Sequence, residues 1–188
     1  IGATVLALKK AAAGLEHEIV VVDDASSDRT AEVAAGLGAR TIRVEHRHIA
    51  ATRNAGAKAA KGEMLVWVDA DTTLPRGTLR EAILAVEGGA VGGGAGVKFD
   101  GWVPLYARVM GEALVWLFRV ARLTGGCFLF CTREAFQKVG GFSEEVFAAE
   151  EALMSRALRK CGRFTVLRTR VVTSGRKLRT FSGGEVFG

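Results

Sequence analysis

Four short stretches of this 188-residue chain combine residue types that can do chemistry. In VVDDASSDRT, residues 21–30, Asp23 and Asp24 close an apolar run, and Ser26, Ser27 and Asp28 follow. One of these three later residues is needed to cap the next helix. Capping does not account for two carboxylates at a strand tip, where a carboxylate can accept the ring N–H of a nucleobase. In WVDADTTLP, residues 67–75, Asp69 and Asp71 stand two apart just past a second apolar run. Such a D-x-D is also the makings of a capped turn. Past a buried strand, however, its carboxylates can serve different oxygens of one ligand, as hard divalent ions bound with phosphate require.

The third stretch is ATRNAGAKAAKGE, residues 51–63. Its alanines and glycines let the backbone approach a neighbour closely, and Arg53 supplies a planar donor fork. Helix–sheet packing with a solvated arginine is the alternative. The fourth is GGFSEEVFAAEEALMSRAL, residues 140–158. At helical spacing Leu153, Met154, Ala157, Leu158 and Cys161 share one face, with Glu150 near its middle and Glu151 at its edge. The helix dipole favours acids in a first turn. It does not explain a carboxylate on the apolar stripe, where desolvation raises the pKa toward that of a general base.

The elements that must position these groups alternate. Residues 18–22 and 64–68 are continuous apolar runs, as expected of strands covered on both faces. Helical patterns occupy 28–37, 49–60 and 76–87, and the opening segment also reads as helical. The second half offers a glycine-rich strand at 89–99, a long helix at 102–123, a strand at 126–131, a helix at 148–161 and a strand near 164–173. Alternation of this kind predicts an open, mostly parallel α/β sheet flanked by helices, with ligands at the carboxyl ends of the strands.

Length fits one domain, and nearly half the residues being apolar excludes a disordered chain. Residues 1–100 carry 12 basic and 13 acidic side chains, against 14 and 7 in residues 101–188. The basic half points to an anionic partner such as a diphosphate or a lipid headgroup surface. A nucleic-acid module would interleave aromatics with the bases. Residues 156–180 hold nine Lys or Arg but only Phe164 as an aromatic, so nucleic acid is not expected. Three cysteines without a CxxC pair give no disulfide framework or zinc knuckle. They fit a reducing compartment and are expected in the core. No secretory leader pattern opens the chain, so a cytoplasmic location is expected. The 102–123 stretch has membrane-spanning length, but Arg108, Glu112, Arg119 and Arg122 interrupt it. A buried helix or peripheral contact with a membrane face, aided by Arg176 and Lys177, fits better.

VVDDASSDRT, ATRNAGAKAAKGE, DAD and GGF followed by paired acids, in that order, resemble the inverting glycosyltransferases of family 2, which have the GT-A fold. The likeness runs from about residue 2 to 180. It implies a single GT-A domain, with residues 1–100 binding a nucleotide sugar and residues 101–188 binding the acceptor. It also implies a divalent ion, Mg2+ or Mn2+, and a UDP- or GDP-sugar donor. An acceptor hydroxyl, on a lipid- or phosphate-bearing molecule among others, would be glycosylated with inversion. By that resemblance Asp24 contacts the base with Arg53 close to it, Asp69 approaches the ribose, and Asp71 binds the metal. The acidic pair is Glu150-Glu151, and position assigns the base role to Glu151, whereas the helical wheel turns Glu150 inward. The family begins with a strand that lies inside the sheet, and this sequence starts just after it. A gap between neighbouring strands, and low stability of the 188-residue chain, are therefore expected. No histidine follows the acidic helix to serve as a late metal ligand. A nucleotidyltransferase-like enzyme and a non-catalytic nucleotide-binding relative are the alternatives.

Overall fold

A computed structural model describes residues 1–101, 127–146 and 149–175. In chain order the elements are α1 (Gly2–Ala11), β1 (Val20–Asp24), α2 (Thr30–Gly36), β2 (Arg40–Val44), α3 (Ile49–Ala59), β3 (Met64–Val68) and α4 (Thr78–Glu87). There follow β4 (Ala90–Phe99), β5 (Phe128–Thr132), α5 (Arg133–Val139), α6 (Glu150–Cys161) and β6 (Arg163–Thr173). The helix expected over 102–123 and the basic pair Arg176 and Lys177 lie outside the described residues. No helix among the described residues is long and apolar enough to cross a membrane.

The α/β class is as expected, with two additions. β2, with its β-branched Thr41, Ile42 and Val44, pairs parallel to β1 from Val20↔Arg40 to Asp24↔Val44. That pairing carries β1 through both aspartates. The short α5 is fixed at both ends: the Thr132 side chain accepts from Ala135 N, and Gly140 closes it at φ 80°. The other strands form one sheet in the order β3-β5-β4-β6. Here β5 runs antiparallel to β3 and β4, while β4 and β6 are parallel, so the sheet is more mixed than strand–helix alternation implies.

The antiparallel strand β5 is the middle of the core. Phe128 and Phe130 point to the layer of α1 and α4, while Leu129 and Cys131 point to that of α5 and α6. Period-two alternation sends each pair to opposite faces, and both faces are covered. Phe128, Leu129 and Phe130 each contribute roughly 1.5–3 kcal/mol on burial. The glycines of β4 make room for this. A Cβ on Gly93 would overlap Thr165 O and sit 2.6 Å from Phe130 Cζ.

β1 and β3 are not paired with each other: among the described residues β1 pairs with β2 and β3 with β5. Between them lies a cavity of about 590 Å3, lined by Val5 and Leu8 of α1, Val20 and Val22 of β1, and Leu65 and Val66 of β3. The expected gap is present. α3 bridges beneath it, close enough to β1 that a Cβ on Gly56 would meet Val22 Cγ2 at 3.1 Å.

Candidate functional site

The carboxyl end of β1 carries the two aspartates. Asp23 is buried and its Oδ1 accepts from Ser26 N at 3.2 Å, which makes it a turn former. Asp24 Oδ1 accepts from Arg47 N at 2.9 Å, and Oδ2 accepts from His48 N at 3.2 Å and Thr52 Oγ1 at 2.7 Å. Burial pushes this carboxyl up, but those bonds outweigh it and hold it below the ordinary carboxylate value. Asp28 accepts from Thr30 N at 2.9 Å just ahead of α2, but the N-cap position falls to Arg29, which makes no side-chain capping bond, so none of the three later residues is the cap.

The end of β3 carries Asp69 and Asp71. Asp69 is about one-third exposed and its carboxyl is raised: burial pushes it up, Glu151 and Asp71 add to that, and Arg53 pulls the other way. Asp71 is exposed, and its Oδ1 accepts from Thr173 Oγ1 at 3.3 Å. Thr173 in turn accepts from the fully buried Thr72 Oγ1 at 2.9 Å. Thr173, at the end of β6, thus orients the Asp71 carboxylate and is itself held by Thr72, just past β3.

Glu150 and Glu151 open α6 directly after Ala149, whose φ of 64° turns the chain sharply into the helix. Glu150 is buried at 3 % exposure and Glu151 is 17 % exposed, as the helical wheel ordered them. Leu153, expected on the same buried face, is exposed instead, and Met154, Ser155 and Leu158 face the core with Glu150. Burial raises the Glu150 carboxyl, Glu151 beside it adds to the rise, and Arg53 offsets only part.

Arg53, expected beside Asp24, sends its guanidinium to the other carboxylates. Nη1 lies 2.8 Å from Glu150 Oε1 and 2.9 Å from Glu151 Oε1, and Nη2 lies 3.1 Å from Asp69 Oδ1. Burial works against its charge, but Glu151, Asp69 and Glu150 more than offset this, so the group is firmly protonated. Its Cζ sits 5.5 Å over the Phe142 ring, and its carbonyl accepts from Trp67 Nε1 at 3.2 Å.

The next residue, Asn54, was not singled out by sequence reasoning. Its Nδ2 donates to Phe142 O at 3.0 Å and its Oδ1 accepts from Phe142 N at 2.9 Å. The third and fourth stretches of the sequence are therefore two halves of one structure: Arg53 takes the glutamates and Asn54 takes the GGF turn before them. Gly141 in that turn is at φ 84°, and a Cβ there would meet Asn54 Oδ1 at 2.8 Å. Thr52, Phe142 and Thr173 were likewise missed, because their roles depend on partners 28 to 102 positions away.

Among the described residues no group of three or more His, Cys, Asp and Glu is gathered to hold a metal. Asp69 and Asp71 do place carboxylate oxygens at one strand end, the hard donor type that divalent ions take together with phosphate. Thiols are not part of that set: burial pushes Cys127 up to about 11 and Cys131 to about 12, so both are protonated packing groups.

Residues 1–140 match glycosyl transferase family 2. Over 118 residues the chain is 32 % identical to the dolichol-phosphate mannosyltransferase of Pyrococcus furiosus, covering 57 % of this chain and 33 % of that protein. The mannosyltransferase PcManGT of Pyrobaculum calidifontis, solved with GDP-mannose and Mn2+, superposes with a TM-score of 0.65 at 25 % identity. That match covers 84 % of this chain and 47 % of PcManGT. S. aureus TarS 1–349 shares the fold, with a TM-score of 0.70 at 20 % identity over 92 % of this chain and 56 % of that one. The chain thus spans between 33 % and 56 % of the lengths of these relatives. With four motifs in order, a GT-A arrangement and a family match over residues 1–140, the chain belongs to glycosyl transferase family 2.

Proposed function

We propose that the chain transfers a mannosyl or related sugar, with inversion, from a nucleotide-diphosphate donor to an acceptor hydroxyl, assisted by Mg2+ or Mn2+. The observation that carries this reading is the convergence of Asp69, Glu150 and Glu151 on the one guanidinium of Arg53. It brings the tip of the donor-side strand against the tip of the acidic helix. The GDP-mannose and Mn2+ bound by PcManGT favour GDP-mannose over a UDP-sugar as donor.

Asp24 is assigned to the nucleobase. Its carboxylate stands at the end of β1, held in place by Arg47, His48 and Thr52, as an acceptor for a ring N–H. Asp69 is assigned to the ribose side and Asp71, aimed by Thr173, to the metal. The bound cation would neutralise charge growing on the leaving diphosphate. Glu151 is assigned as the general base, because it keeps some access to solvent and substrate while Glu150 is closed in. It takes the acceptor proton as the hydroxyl oxygen attacks the anomeric carbon on the face opposite the diphosphate. Residues 1–100 supply the donor groups and residues 101–188 the acidic pair.

A second reading comes from the dolichol-phosphate relative: the attacking oxygen belongs to a lipid phosphate, at a membrane face. An ionised phosphate needs no base, so the readings differ at Glu151.

The test is titration calorimetry with GDP and UDP, each with and without Mn2+, on the chain and on Asp71→Ala. Metal-dependent binding of GDP that Asp71→Ala abolishes is expected. Binding of neither nucleotide sinks the donor assignment. Product analysis with GDP-mannose and either octyl mannoside or phytanyl phosphate then separates hydroxyl from phosphate acceptors.

A further inference from the structure

Arg53 is buried at 9 % exposure and charged, a combination that is costly unless the charge is closely paired. Here it is paired three times over, with carboxylates from two elements that are distant in sequence: Asp69 after β3, and Glu150 and Glu151 on α6. A guanidinium is rigid and planar, so its two terminal nitrogens cannot move independently. Nη2 on Asp69 and Nη1 on the glutamates therefore fix the distance between the donor strand and the acidic helix. The group itself has little freedom. Phe142 lies under it, Trp67 holds its backbone carbonyl, and Asn54 pins Phe142 by both backbone atoms. Asp24 is engaged by Thr52 and the Arg47–His48 backbone. We propose that Arg53 is a positioning residue: it sets the Glu151 carboxylate against the donor-side Asp69, and it is not a nucleotide ligand. This rests on Glu151 being the base.

Lysine at this position keeps the charge but, as a point donor, cannot hold both carboxylates in one plane. The experiment compares Arg53→Lys, Glu151→Gln and the double variant of the full chain, by Mn2+-dependent GDP affinity and by transfer from GDP-mannose to octyl mannoside. Arg53→Lys is expected to keep GDP affinity within about threefold and to lose roughly 10- to 100-fold in turnover, the scale of a misplaced catalytic group. The double variant is expected to be no slower than Glu151→Gln alone, because Arg53 acts through Glu151. A merely structural arginine would instead multiply its loss with that of Glu151→Gln, and that result overturns the inference. So does GDP affinity falling as far as turnover, which would make Arg53 a nucleotide ligand, or turnover left unchanged. Unchanged turnover in Glu151→Gln itself overturns the base assignment, and is read independently of the Arg53 variants. If Arg53→Lys melts below the assay temperature, all variants are compared at a temperature below its melt, where the same outcomes decide.

Discussion

Arg53 and Glu150 are 97 positions apart in the chain and 2.8 Å apart in space, and this contact fastens the second half of the molecule to the first. It does not fully compensate the carboxylate. Burial raises the Glu150 pKa from 4.5, and Arg53 returns only part of the shift. In the window above 4.5 the folded chain keeps a proton that the unfolded chain has released, so rising pH costs stability through Glu150. Its contribution is best below 4.5 and worsens until the folded-state pKa is passed. Glu150→Gln lacks this dependence. Urea midpoints from pH 4.5 to 8 should show the variant gaining on the parent chain as pH rises. Parallel curves would mean that Arg53 compensates Glu150 completely.

The second relationship is the latch of Asn54 on the GGF turn. Asn54→Ala leaves the N–H of the buried Phe142 without this acceptor, at a cost of about 1–3 kcal/mol. Gly141→Ala forces a side chain into a left-handed conformation, also about 1–3 kcal/mol, and adds the clash with Asn54 Oδ1. In a chain of this size each kcal/mol lowers the melting temperature by roughly 2–4 °C. The double variant removes the clash but keeps the strain, so thermal melts should show its cost to be less than the sum of the two. Strict additivity would remove the contact from the account.

Two glycines, one in the sheet and one in a helix, give a sharper contrast. At Gly93 a methyl group would overlap Thr165 O and Phe130, both in the core, so Gly93→Ala is expected to give little soluble folded protein. At Gly36, which closes α2, nothing lies within 4 Å of the added carbon and φ is not positive. Gly36→Ala should be neutral or stabilising by up to about 1 kcal/mol through the unfolded state. Circular dichroism melts of the two variants decide both.

How much of this was legible in the sequence follows from the range of the interactions involved. β3 is read to its last residue, because five apolar residues between charged neighbours leave no other register. The inward turn of Glu150 is local helical geometry and was also readable. β2 was missed because Arg40 and Arg43 break its apolar run: it is an edge strand, with Arg40 and Arg43 exposed. The start of α4 moved from 76 to Thr78 because Gly77 takes φ 92° just before it. The Arg53 hub was legible as four residues of the right type and illegible as a contact. No spacing rule relates position 53 to 69, 150 and 151, and only the packing of α3 beneath both strand ends brings them together.

The cleft between β1 and β3 lies next to Asp24 at the end of β1 and Asp69 just past β3. Each strand hydrogen-bonds on one side among the described residues, so its cleft-facing amides depend on what fills about 590 Å3 of apolar space. Unbonded strand amides open at low free energy, whereas those of β5, paired on both sides, require near-global opening. Hydrogen exchange should therefore be at least about 100-fold faster in the cleft-facing half of β1 and β3 than in β5. The 188-residue chain should also melt below about 50 °C, toward the lower end of ordinary domains. Because Asp24 ends β1 and Asp69 follows β3, a nucleotide that touches both would tie the two strands together. GDP with Mn2+ should then slow exchange in β1 and β3 more than in β4 and β5. Uniformly slow exchange without nucleotide would mean that the two strands are closed against each other in solution, and the donor site would then be formed before its ligand arrives.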